Sequence, residues 1–196
     1  MAAGIKYDLK PIEGNMPEMC RFETVYRLSG GFMLDLSNLA GIGNIPPLAP
    51  MVVDFKTRKA KVVVCAKVHK RITASTTELQ IEKGSFVAVG MHLGNGKNGG
   101  TVEAISKENP AYDVVTLAAT PTLAAEVGDV LFQAKSAGGT TPQALANVLN
   151  YAWTKVEEGA TVTAVGQAYE IRPSKLIAPI SDKDKENLGA RFMFTL

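Results

Sequence analysis

Between residues 60 and 72 the sequence runs AKVVVCAKVHKRI, and its apolar side chains recur at every second position. Val62, Val64, Ala66, Val68 and Ile72 share one parity. Lys61, Lys67, His69 and Arg71 share the other, with Val63 and Cys65 among them. Successive side chains of a strand point to opposite faces, so the first set belongs on a core and most of the second faces water.

The same period continues downstream. TTELQIEKG sets Leu79 and Ile81 against Glu78, Gln80 and Glu82. SFVAVGMHL (85–93) reads as a short apolar strand and GNGKNGG (94–100) as a glycine-rich turn. TVEAIS, AYDVVTLAA and GDVLFQA follow at short spacing, with Asn109-Pro110 and Gly128-Asp129 as turn signals between them. Many short strands with frequent glycine turns predict a small antiparallel β-barrel or sandwich over residues 51–135.

Residues 1–50 read differently. They hold half of the ten prolines and four of the seven methionines, and neither period lasts a full element. Short apolar patches such as Phe32-Met33-Leu34 sit between the breaks, so the segment is too apolar for a solvated linker. It is expected to be an extended N-terminal arm lying on its own barrel or on a neighbouring protein. On that reading, deleting residues 1–45 leaves a folded barrel.

Residues 136–196 form a third, β-rich segment, expected to pack on the barrel or on a neighbouring subunit. Thr141-Pro142 either opens a short helix, with Leu145, Val148 and Leu149 as its buried stripe, or belongs to an extended stretch leading to Trp153. ATVTAVGQAYEI (160–171) is β-rich. SDKDKENLG (181–189) suits a two-turn helix, with Ser181 as N-cap and a glycine at its end. In ARFMFTL, Phe192, Phe194 and Leu196 alternate against Arg191, Met193 and Thr195, a closing strand. The predicted fold is therefore mainly β: a small antiparallel barrel or sandwich, an extended N-terminal arm, a short C-terminal helix and a closing strand.

Composition narrows the function. At 196 residues, with 46% hydrophobic and 20% charged, the chain is globular and long enough for one domain, or one domain plus an arm. Its 21 Lys+Arg against 19 Asp+Glu leave a net charge of +2, so no global field points to nucleic acid. No apolar run approaches the ~20 residues that span a bilayer. MAAGIKYDLKPIEG lacks a basic region followed by an apolar one, so no secretory signal is read there. Two cysteines exclude a disulfide scaffold and a four-cysteine zinc site, and two histidines leave little for a histidine centre. The expectation is a non-enzymatic protein without cofactor or metal, with neither nucleic acid nor membrane as partner.

Each candidate site has a plain structural alternative. Gly94, Gly96 and Gly99 satisfy G-x-G-x-x-G, but a dinucleotide site needs a helix to follow, and Thr-Val-Glu-Ala-Ile reads as a strand. The turn reading is favoured. Residues 56–71 carry Lys56, Arg58, Lys59, Lys61, Lys67, Lys70 and Arg71 with no acid among them. They form either a patch for an acidic protein surface or a solvated strand face plus a turn. Stacking aromatics are absent there apart from Phe55, which disfavours nucleic acid. The candidate partner-binding residues are Lys56, Arg58 and Lys59, with the apolar Phe32, Met33 and Leu34 of the arm. His69 follows Cys65 by four residues, but on a strand that separation is ~13 Å, too far for a nucleophile and its base. Ser106-Lys107 and Ser174-Lys175 are neighbours whose side chains diverge on a strand. Trp153 with Tyr151 and Tyr169 forms either a sugar platform or an inner-face cluster, the cluster being favoured.

Three stretches resemble a known family: VDFKTRKAKVVVCAKV; GGTVEAISKENPAYDVVTLAATPTLAAEVGDVLFQA; and GATVTAVGQAYEIRPSKLIAPISDKDKENLGARFMFTL. Their recurring elements are Tyr112-Asp113-Val114-Val115-Thr116-Leu117, Gly128-Asp129-Val130-Leu131 and the closing helix and strand. Together, over residues 50–196, they resemble the head fibre and head decoration proteins of tailed phages and prophages. The resemblance implies a non-enzymatic virion protein made in the bacterial cytoplasm. It implies a small β-barrel on the capsid surface, commonly a homotrimer, with the major capsid protein as partner and an arm that holds neighbours. The length and Pro/Gly density of residues 1–50 depart from it and leave open a short decoration protein or the capsid-proximal base of a longer fibre. The rival reading is a host-surface or glycan-binding β module using Trp153, Tyr151 and exposed loops.

Overall fold

The alternating stretch is the spine of the molecule. A computed structural model describes residues 19–118 and 121–195. In chain order its strands are β1 (Arg21–Arg27), β2 (Phe32–Leu34), β3 (Asn44–Ile45), β4 (Pro50–Asp54), β5 (Lys59–Val62), β6 (Cys65–Lys67), β7 (Glu78–Glu82) and β8 (His92–Gly94). These are followed by β9 (Gly99–Ser106), β10 (Tyr112–Leu117), β11 (Val130–Ala134), β12 (Val148–Asn150), β13 (Thr154–Lys155), β14 (Thr161–Val162), β15 (Ala164–Ile171) and β16 (Phe192–Phe194). Helix α1 spans Asp182–Leu188. The protein is mainly β, with a short C-terminal helix and a closing strand, as the patterning predicts.

Strand β5 lies in an eight-stranded sheet of order β1-β15-β12-β4-β5-β2-β14, on which β16 pairs with β15. Two residues later the chain enters β6, in a second, six-stranded sheet of order β6-β11-β8-β9-β10-β7. That sheet curls until its end strands meet. Val68 bridges Ile81, and His69 N donates to Gln80 O at 2.8 Å. One nearly continuous extended stretch thus carries the chain from one sheet to the other. Every apolar residue of its even parity, from Ala60 to Val68 and on to Ile72, is buried in a core shared by both sheets.

The odd parity explains the second core. Val63 and Cys65 face away from the first core, yet are buried with Phe132, Leu149, Val165, Ile180, Leu188 and Phe192. The C-terminal segment covers them. Ser181 caps α1, its side chain accepting from Asp184 N, and Gly189 ends the helix with φ 62°. Strand β16 then runs parallel to β15, pairing Phe192 with Ala168, which buries Phe192 and leaves Met193 outside.

Within the described residues, the expected arm contributes to this sheet. Phe32, Leu34, Leu39 and Ile45 lie in the first core. Strand β2 is held parallel to β5 and antiparallel to β14. Strands β2 and β3 are very short, and the longer β1 has register irregularities and no alternating burial, so no local period betrays them. Residues 1–18 of that segment lie outside the described residues. The alternative at Thr141-Pro142 resolves to the extended form: Pro142 bridges Ala134, and the chain continues into β12 without a helix. The strand expected over 85–93 begins only at His92, because Gly90 takes φ 85° and Met91 N turns back to Ala88 O. Phe86 and Val87 are still buried in the core.

Candidate functional site

The β4–β5 turn and strand β2 bring the six candidate residues together. Asp54 shapes the turn, its Oδ1 accepting from Lys56 N at 2.8 Å and Thr57 N at 3.2 Å. The Lys56 and Thr57 donors hold its carboxyl below the usual aspartate value. Arg58 follows with φ 56°, and its guanidinium folds back over the Phe32 ring at 4.1 Å. Arg58 Nη2 donates to Ser29 O at 2.7 Å and Gly31 O at 2.8 Å. Phe55 meets the other side of this arrangement, edge-on to Phe32 at 5.8 Å.

The six residues therefore divide by role. Phe32 and Leu34 are 1% and 6% exposed and belong to the core. Arg58 is committed to two carbonyls and an aromatic face, a geometry that suits a planar fork of donors. Met33, Lys56 and Lys59 face outward. Met33 stands beside Lys59 in register on one flank and beside Thr161 on the other. Phe55 is 56% exposed at the turn and adds an apolar surface beyond the six candidates. Its signal was an aromatic side chain within a run of turn-forming residues.

Of the rest of the basic stretch, Lys61 stands two residues from Lys59 on the same face of β5 and lies 4.0 Å from Asp35, whereas Lys67 and Arg71 lie elsewhere. Lys61 Nζ donates to Ser37 Oγ at 3.0 Å, Lys67 pairs with Glu82 at 3.0 Å and Arg71 with Glu126 at 3.0 Å. A charge run that looks continuous in sequence is thus divided among separate local partners.

The profile of the phage head fiber protein family matches residues 5–194. The chain belongs to that family. No curated protein and no solved structure matches it.

The head fiber match spans every strand of both sheets and α1. The family is one of structural proteins of the virion. Against that background the other candidate motifs of this head fiber chain have structural roles. The glycine-rich segment is a hairpin tip between β8 and β9, with Gly94 opposite Gly99. Asn95 Oδ1 accepts from Lys97 N at 2.9 Å and Asn98 N at 2.8 Å, and a strand follows, as the turn reading requires. Gly139 lies across this tip so closely that a Cβ on Gly94, Gly99 or Gly139 would collide with backbone.

Cys20 and Cys65 are both buried, and burial raises both thiol pKa values. For Cys65 the shift is large, and the Asp184 carboxylate adds to it. His69 stacks on Tyr112 at 4.9 Å, and His92 Nδ1 shares a hydrogen bond with Thr101 Oγ1 at 2.8 Å. Among the described residues no three His, Cys, Asp or Glu side chains are placed to hold a metal ion. The inner-face aromatic cluster does not form. Tyr151 carries the Arg27 guanidinium 4.9 Å above its ring and packs on the second core, whereas Trp153 is 52% exposed. Trp153 stands in a loop whose partners leave its indole outside both cores.

Proposed function

We propose that this chain binds the outside of a phage capsid as a non-enzymatic head fibre or head decoration protein, with the major capsid protein as its partner. The supporting observation is the extent of the family match, which takes in the whole described fold and not one fragment of it. The contact surface in this reading is the β4–β5 tip with β2: Met33, Phe55, Lys56 and Lys59. Lysines speed encounter with an acidic surface, and apolar contacts slow release. Arg58, Phe32 and Leu34 support that surface from beneath. The chain is made in the host cytoplasm and acts on the head as a homotrimer, so its mass in solution is expected at three times the 20.8 kDa chain.

Co-sedimentation of the purified protein with undecorated heads tests the reading. Changing Lys56 and Lys59 to Glu is expected to slow attachment and flatten its salt dependence. Met33→Glu is expected to shorten residence on the head. Wild-type protein that stays in the supernatant at all salt concentrations overturns the proposal.

A further inference from the structure

The exposed Trp153 is displayed on a braced loop. Asn150 is fully buried, and its Nδ2 donates to Ala152 O at 2.6 Å and Pro46 O at 3.0 Å. Thr154 Oγ1 donates to Ala152 O at 3.2 Å, and Thr154 pairs with Ile45 across β13 and β3. Both flanks of the indole are therefore fixed, and a fixed, half-exposed aromatic is the arrangement expected of a binding platform.

Trp153 lines a shallow cleft of about 290 Å³ with Thr154, Lys155, Glu157, Thr161 and Thr163. Strand alternation buries Val162 and turns Thr161 and Thr163 away from the core. Neither threonine hydroxyl is hydrogen-bonded to another described residue, so both are free to donate and accept. Lys155 and Glu157 form a 2.6 Å ion pair, which leaves the cleft polar but without net charge.

We propose that this cleft binds a neutral pyranose sugar. A pyranose has one face of C–H groups and a rim of hydroxyls. The indole accepts the apolar face. Thr161, Thr163 and the Lys155–Glu157 pair address the rim with both donors and acceptors. A phosphate or an acidic peptide has no uncompensated cation here to bind. The cleft adjoins the proposed capsid surface, Thr161 being the cross-strand neighbour of Met33, but none of its lining residues is Met33, Phe55, Lys56 or Lys59.

The chain contains a single tryptophan beside five tyrosines, so emission excited at the red edge, where tyrosine does not absorb, reports on this cleft alone. The full-length protein is titrated with glucose, galactose, N-acetylglucosamine and the β-1,4-linked tetramers of glucose and N-acetylglucosamine. At least one probe is expected to give a saturable change in emission. Replacing Thr161 and Thr163 together by Val should weaken that binding about tenfold, the loss expected for roughly one or two hydrogen bonds. Saturation-transfer NMR on Trp153→Ala should show no bound sugar, and Trp153→Phe, which keeps an aromatic face, should bind more weakly than wild type. The proposal is overturned if no probe changes the emission, or if Trp153→Ala binds sugar as well as wild type does. It is also overturned if the emission responds to undecorated heads and to no sugar, which makes the cleft a capsid contact.

Discussion

Cys65 Sγ donates to Asp184 Oδ2 across 3.3 Å, and so ties the strand that joins the two sheets to the C-terminal helix. Asp184 is buried and also accepts from Ser181 Oγ and, at 2.8 Å, from Ala146 N. One carboxylate therefore joins β6, the approach to β12 and the cap of α1. Asp184→Ala leaves those donors without an acceptor in a dry site, which is expected to cost about 2–4 kcal/mol of unfolding free energy in a urea titration. Asp184→Asn keeps one acceptor and is expected to cost less.

The same contact sets a pH dependence. Burial and the neighbouring carboxylate push the Cys65 thiol well above its ordinary value of 9.0. The unfolded chain ionises at the ordinary value, whereas the folded chain keeps its proton. The stabilisation is complete below that value and is lost progressively as pH rises from there through the raised folded value. Unfolding free energy measured between pH 7 and pH 11 should fall more steeply above pH ~9 in wild type than in Cys65→Ala. Equal slopes would mean that folding leaves the affinity of the thiol for its proton unchanged.

Arg58 anchors the proposed capsid surface through its shape. Lysine keeps the charge but cannot reach two carbonyls with one planar fork while covering the Phe32 ring. Arg58→Lys is expected to lower stability by about 1–2 kcal/mol, read as a lower urea midpoint at unchanged m-value. Lys56→Ala, two residues earlier in the same exposed turn, is expected to change stability by less than ~0.5 kcal/mol.

Gly139 and Gly128 both have positive φ, 68° and 90°, but differ in their surroundings. A Cβ at Gly128 meets open space, whereas one at Gly139 collides with the backbone of Asn98 and Gly99. Gly128→Ala is expected to cost ~1 kcal/mol, the conformational strain alone. Gly139→Ala adds displacement of the hairpin tip and is expected to cost more than ~3 kcal/mol by the same measurement.

Deletion of residues 1–45 removes Phe32, Leu34, Leu39 and Ile45 from the first core. At about 1.5–3 kcal/mol for each buried apolar side chain, that loss exceeds the stability of an ordinary domain. The truncated chain is expected to lack a cooperative thermal transition, contrary to what the arm reading implies. A chain that begins at Met19 keeps β1, β2 and β3 and is expected to fold. Its retention on undecorated heads then reads the contribution of residues 1–18.

Local pattern was enough wherever a residue's neighbours in sequence determined its environment. The alternation of 60–72 put Val62, Val64, Ala66 and Val68 on one core, and the order Ser181, early acids and Gly189 marked the helix with its cap and its end. The hairpin at 94–100 followed from its glycines and from Asn95, whose side chain bonds the backbone two and three residues ahead. Tertiary structure decided what depends on distant partners. Phe32-Met33-Leu34 is three residues long, too short for a period, and becomes a strand only because β5 and β14 flank it. Val63 and Cys65 sat on the face read as mostly wet and are buried because residues 180–192 fold over them. Arg58 looked like a free cation until Ser29, Gly31 and Phe32 came within its reach, and Trp153 looked like core until Asn150 braced its loop outside. The physical reason is common to all four. A side chain's preference for strand, turn or helix is largely local, whereas its burial and its hydrogen-bond partners depend on residues that only the folded chain brings near.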